Sequence, residues 1–146
     1  MSEYSEPMFD PQRPRLISIG HTGWLGCRFR DAGPDWVEID LPWREDLVGD
    51  PASGTFASGP IVSMMDTACS LGAWRKIGHF HPQVTLDLRV DYMRPSHRGA
   101  TLVGRGECYR LTRSVAFVRG IAHDGDPADP VAHVAGSFMR LGKPRI

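Results

Sequence analysis

The sequence predicts an α+β fold in which an antiparallel sheet packs on one long helix. Three observations carry this. The run Gly59-Pro60-Ile61-Val62-Ser63-Met64-Met65-Asp66-Thr67-Ala68-Cys69-Ser70-Leu71-Gly72-Ala73-Trp74 is apolar on nearly every face, and a helix apolar all round is a buried helix. Directly after it the period changes to two. Thr85-Leu86-Asp87-Leu88-Arg89-Val90-Asp91-Tyr92 alternates, which puts Leu86, Leu88, Val90 and Tyr92 on one face of a strand. Further strand-like runs follow, joined by hairpin-like turns such as Asp124-Gly125-Asp126-Pro127, so the strands pair antiparallel around a single helix.

In chain order, residues 1–15 read as a loose arm, with Pro7, Pro11 and Pro14 opposing regular structure. Leu16 to Arg30 has no clear period, with a strand expected around Trp24–Arg30. Asp31-Ala32-Gly33-Pro34-Asp35 is a turn cluster. Trp36–Leu41 alternates and reads as a strand, and residues 43–59 read as a polar loop. The helix is expected to begin near Pro60, since proline suits the first helical position, with Ser58 or Gly59 as cap. Its pattern runs to about Trp74, and Gly78 and Pro82 end any extension. Arg94-Pro95 and Gly99 break the strand after it. Thr101–Leu111, weakened by Gly104 and Gly106, Ser114–His123 and Val131–Met139 complete the strands. A helix with no polar face needs cover on its far side. Either the sheet curls round it or a second subunit packs on it.

At 146 residues the chain suggests one domain, here residues 16–146 after the arm. Lys plus Arg equals Asp plus Glu at 17 each, which argues against a nucleic-acid partner, since such binding needs a basic surface to displace counterions. Near-zero charge also permits self-association. Cys27, Cys69 and Cys108 are far apart and odd in number, the usage of reduced, buried thiols in a cytoplasmic protein. No apolar run approaches the roughly 18 residues that span a membrane, and the N-terminus lacks the basic start and apolar stretch of a signal peptide.

Asp66 is the chemical feature of the helix. A carboxylate in a buried helix is costly unless paired, its pKa tends to rise, and such a group is a candidate general base or nucleophile. His79 and His81 have no partner ligands at metal-binding spacing, so no metal is expected. Gly-rich phosphate loops and a G-x-S-x-G elbow are absent from the sequence. Arg94, Arg98 and Arg113 sit at strand ends and turns, where they suit phosphate groups.

This layout resembles the hotdog fold, an antiparallel sheet wrapped around one central helix, and within it the PaaI-like acyl-CoA thioesterases. Three stretches carry the resemblance. Gly49-Asp50-Pro51-Ala52-Ser53-Gly54-Thr55-Phe56-Ala57-Ser58-Gly59 is similar to the family's Asn-Pro-x-x-Gly-x-x-His-Gly-Gly loop. Asp66 stands nine residues after Ala57, the family's spacing from motif His to catalytic Asp. Thr85–Pro95 is similar to the central strand and its turn. The resemblance implies that Asp66 acts as base or nucleophile and that Thr85 orients the attacking water. It implies that Ser58 and Gly59 present backbone N–H groups to the thioester carbonyl, at a helix N-terminus suited to an oxyanion. It places substrate contacts at Asp50, Ala57, Arg94, Arg113 and Ser114. It further implies a homodimer or homotetramer with the site between subunits, an acyl-CoA substrate, and no metal or organic cofactor.

The loop departs from the family at three points. Ala57 replaces the motif His, Ser58 its first Gly, and Asp50 the motif Asn; Pro60 moreover has no N–H to donate. The expected activity is hydrolysis of an acyl-CoA to free acid and coenzyme A. A non-hydrolytic acyl-CoA or acyl-ligand binding protein is the alternative favoured by loss of the His. A hydratase or dehydratase usually needs a His beside the carboxylate, and the sequence puts none within a helical turn of Asp66.

Overall fold

Strand β2 (Trp36–Leu41) shows how the sheet acquires an inner face. Val37, Ile39 and Leu41 are 3%, 0% and 0% exposed, while Trp36, Glu38 and Asp40 between them are only half-buried. The computed structural model describes residues 15–142. The arm expected over 1–15 lies, up to residue 14, outside the described residues. The chain begins with a 3-10 turn at Arg15–Ser18, a short helix α1 (Gly20–Trp24), and strand β1 (Arg28–Ala32) before β2. A 3-10 turn at Glu45–Leu47 and a small hairpin, β3 (Val48–Asp50) and β4 (Thr55–Phe56), lead into the long helix α2 (Ser58–Ile77). Strands β5 (Gln83–Tyr92), β6 (Leu102–Leu111), β7 (Val115–His123) and β8 (Ala132–Arg140) follow.

Six strands form one antiparallel sheet in the order β1-β2-β6-β7-β8-β5. The chain must therefore pass from the β1–β2 side to the opposite edge at β5, and α2 makes that passage across the inner face. It lies chiefly on β6 and β2, then on β7. The α+β layout and the sheet wrapped on one helix are as the sequence predicts. Gly104 and Gly106 have a use on β6. A Cβ at Gly106 would collide with the α2 backbone at Ala68 and Cys69, and Gly72 on α2 meets Gly106 with the same intolerance. Among the described residues no helix is long and apolar enough to cross a membrane.

Several expectations change at the ends of elements. The strand expected over Trp24–Arg30 starts only at Arg28, because 20–24 form a helical turn, and β1 runs on to Ala32 through the first two residues of the expected turn cluster. The loop over 43–59 contains the hairpin. Helix α2 begins at Ser58, so Pro60 takes the third helical position, not the first. The N-cap is Ala57, whose methyl caps nothing, so neither Ser58 nor Gly59 is the cap. Gly78 ends the helix as expected, at φ 87°.

The largest correction is in β5. Its partners on β8 shift register between Thr85 and Asp87, so Leu86 is a bulge. Thr85, Leu88, Val90 and Tyr92 oppose Phe138, Gly136, Val134 and Ala132, alternate residues of β8 that face α2. Uninterrupted alternation would have set Leu86 inward and Thr85 outward. The bulge reverses the two, which is what bulges commonly do beside functional sites.

The helix is not enclosed all round either. Ile61, Met64, Met65, Ala68, Cys69, Leu71, Ala73 and Trp74 are buried, but Gly59 and Val62 are exposed and Ser63, Asp66 and Ser70 only half-buried. These five lie within about 100° of one another at 100° per residue, so they form one uncovered stripe.

Candidate functional site

Asp66 lies on that stripe, half-buried and not enclosed as expected. Thr85, turned inward by the bulge, donates its Oγ1 hydrogen to Asp66 Oδ1 at 2.8 Å. A carboxylate only accepts, so the hydroxyl proton points at Asp66 and the lone pairs of Oγ1 remain to accept from a water. Two residues earlier on the same face of β5, Gln83 Nε2 donates to Ser70 O at 2.8 Å and to Ser70 Oγ at 2.7 Å. Strand and helix are thus tied at the carboxylate and again one turn beyond it.

The N-terminus of α2 is a second polar centre. The Ala57 N–H is taken by Leu47 O at 2.9 Å, and Pro60 has none. Ser58 and Gly59, both exposed in the first turn, keep unpaired N–H groups at the positive end of the helix dipole. A cavity of about 330 Å³ opens beside Ser58, lined largely by apolar residues including Phe56, Ile61, Tyr92 and Met93.

The loop before the helix is held by a relay of polar contacts. Arg94 grips Asp124 with both terminal nitrogens, at 3.1 and 2.6 Å, and pairs with Asp129 through Nε at 3.1 Å. Asp124 also accepts from the His97 N–H at 2.8 Å. Its side chain is 3% exposed, and the Arg94 guanidinium holds its carboxyl well below the usual carboxylate range. Between Arg94 and His97, buried Ser96 accepts the Phe56 N–H at 3.0 Å. Arg98 donates to Pro51 O at 2.7 Å. Arg94 and Arg98 therefore position the loop, and the Arg94 guanidinium is occupied without a phosphate. Asp50 accepts the Ala52 N–H at 3.2 Å and stabilises the turn; the Ser53 hydroxyl lowers its pKa. Arg113 and Ser114 are exposed in the turn before β7.

The expected site residues fall into two groups. Thr85 opposes Phe138, which opposes Ala116, so Asp66, Thr85, Arg113 and Ser114 gather towards one end of β5. Asp50, Ala57, Ser58, Gly59 and Arg94 gather at the other. Eight residues of helix separate Ser58 from Asp66, about 12 Å along the axis. One carbonyl cannot touch both, since its donors lie within about 3 Å.

Sequence reasoning missed His21 and Ser63. His21 Nε2 lies 2.9 Å from Ser63 Oγ, three residues before Asp66. A histidine brought in by α1 therefore bonds a residue that is one helical turn from Asp66. Nothing local signalled it, because 16–30 has no clear period. The three cysteines are free and buried as expected, and burial pushes Cys27 up to about 11 and Cys69 up to about 12. Among the described residues no three His, Cys, Asp or Glu side chains gather as a metal site would need.

Comparisons with known proteins agree with this geometry on the fold. The family profile described as Thioesterase superfamily matches residues 54–131. A Pseudomonas aeruginosa protein of known structure is 37% identical, over 92% of this chain and 100% of its own, with a TM-score of 0.81. The phenylacetic acid degradation protein PaaI from Thermus thermophilus, solved as a point mutant, is 26% identical over 82% of this chain and 96% of its own, with a TM-score of 0.70. The PaaI protein of the E. coli phenylacetic acid degradation operon is 14% identical and shares the fold, covering 96% of this chain and 97% of its own at a TM-score of 0.78. No curated protein sequence matches the chain.

Proposed function

Because the chain belongs to the thioesterase superfamily and has the hotdog fold of its PaaI-like members, we propose that it hydrolyses an acyl-CoA thioester to the free acid and coenzyme A. The observation that carries this reading is the Thr85–Asp66 hydrogen bond of 2.8 Å. It is a water-binding pair on an uncovered stripe of an otherwise buried helix.

A water accepted by Thr85 Oγ1 gives a proton to Asp66, and its oxygen attacks the thioester carbon. The carbonyl electrons move to oxygen, where the Ser58 and Gly59 N–H groups and the helix dipole stabilise the charge. Collapse breaks the C–S bond, and the departing sulfur takes the proton back from Asp66. The apolar cavity beside Ser58 suits the acyl chain or the pantetheine arm, and exposed Arg113 and Ser114 suit the coenzyme phosphates.

The 12 Å gap along the helix points to a second copy, at about 1.5 Å of rise per residue. Strand β5 is an open edge carrying Val84, Leu86 and Tyr92 at 44%, 51% and 49% exposure, a template for strand pairing. Antiparallel pairing of two such edges sets the Thr85 end of one chain beside the Tyr92 end of the other. Asp66 of one subunit then meets the helix N-terminus of its partner, and the dimer is the catalytic unit.

The test is thiol release by the wild-type protein from short, medium, long-chain and aryl acyl-CoAs, with turnover of at least one class expected. A folded protein that binds these compounds at saturation without turnover would instead be an acyl-CoA binding module, the reading that Ala57 in place of the motif His favours.

A further inference from the structure

Strand β5 departs from its own sequence pattern at its first end. Val84, Leu86, Leu88, Val90 and Tyr92 alternate without interruption, and a regular strand would turn them all towards α2. Continued without the bulge from the pair Asp87–Ser137, Leu86 would oppose Phe138, and Thr85 would oppose Met139 on the outer face. The structure instead leaves Val84 and Leu86 at 44% and 51% exposure and turns Gln83 and Thr85 inward. Apolar burial favours the regular register, so the bulged one needs other support.

Gln83 supplies it. The two hydrogens of its Nε2 go to Ser70 O at 2.8 Å and Ser70 Oγ at 2.7 Å. Two residues on, Thr85 bonds Asp66 at 2.8 Å. The spacing makes these contacts one unit. Two residues of strand span about 6.8 Å and four of helix about 6 Å. Gln83 and Thr85 therefore meet Ser70 and Asp66 together in one register, and a slip of one residue would present Val84 to the helix and break both contacts. Gln83 is also a poor choice for stability alone. Its Oε1 is buried and accepts no hydrogen bond among the described residues, a cost that an apolar side chain would avoid.

We propose that Gln83 is a positioning residue of the Asp66–Thr85 pair. Its two bonds to Ser70 hold the start of β5 in the bulged register and so keep the Thr85 hydroxyl on the Asp66 carboxylate. Gln83 bonds no reacting atom and acts through Thr85. Without its bonds the strand relaxes towards the regular register, in which Leu86 turns towards the helix and Thr85 leaves it. The inference rests on the thioesterase reading and extends it.

The test is steady-state thiol release from whichever acyl-CoA the wild type turns over, with thermal melts to verify folding. Gln83→Ala, which removes both bonds, is expected to lose about tenfold in kcat with KM little changed, the scale of one positioning hydrogen bond. Gln83→Glu keeps the size but replaces the donor by an acceptor. It should lose at least as much, and it serves if the alanine variant folds poorly. The losses in Gln83→Ala and Thr85→Ala should not multiply in the double variant, since one residue acts through the other. Adding Leu86→Thr to Gln83→Ala should restore most of the lost kcat, because the side chain that draws the strand to the regular register is gone. A loss of stability alone would not recover in this way. Wild-type kcat in Gln83→Ala and Gln83→Glu, losses that multiply, or no recovery with Leu86→Thr would each overturn the inference, while Asp66-dependent turnover left the thioesterase reading standing. Absence of turnover in the wild type would overturn both.

Discussion

Asp66 is too weakly held to be kept for stability. Its bond to Thr85 is exposed and worth about 1 kcal/mol, whereas a fully buried side chain such as Met65 or Ile39 contributes on the order of 2 kcal/mol. Removing the carboxylate should leave the fold intact. Asp124 is the opposite case, a carboxylate with a structural task. Its pKa is depressed in the folded protein by the Arg94 guanidinium and by His97, so its contribution is present at neutral pH. That contribution is lost as pH falls below the ordinary carboxylate value, about 4, towards its lower folded value. Asp124→Asn is therefore expected to lower stability at pH 7 by on the order of 3 kcal/mol and to flatten the acid limb of a stability-against-pH curve from urea melts. Equal slopes for the two proteins between about pH 5 and 2 would contradict this.

At the scale of elements, the contact of α2 with β6 is set by glycine. Gly106→Ala would drive a methyl into the helix backbone at Ala68 and Cys69, while at Gly104 the methyl meets the sulfur ends of Met64 and Met65, which can move. Gly106→Ala is expected to cost more than Gly104→Ala, about 3 kcal/mol against about 1 kcal/mol in thermal melts, and the reverse order would show that the helix does not sit where described. The strands and the helix were legible because each is a local pattern. Three details were not. The bulge at Leu86 leaves the apolar–polar alternation of the sequence untouched and shows only in the register with β8. The cap at Ala57 follows from the hairpin that holds its N–H, not from its side chain. The contact of His21 with Ser63 spans 42 residues and depends on a helical turn too short to leave a period.

For the whole molecule, the candidate site residues divide between the two ends of β5, and the proposed dimer is what would reunite them. The sequence hinted at this, since its helix had one face too many to cover, but it left open whether sheet or subunit supplied the cover. The sheet covers most of the helix, and the stripe from Gly59 to Ser70 stays open. Leu86→Lys, a charge on the open edge, is expected to turn a dimer or larger assembly into a monomer by sedimentation and to lower activity with it. A wild type that is fully active as a monomer would contradict the two-subunit site. The most direct test of the central claim is thiol release by wild type against Asp66→Ala on the same acyl-CoA, with both proteins shown to be folded. The three buried thiols should stay silent to a thiol reagent in the native protein, so the signal reads coenzyme A. The account predicts turnover by wild type and a loss of about 10²-fold or more on substitution. Turnover that survives without Asp66 would contradict it.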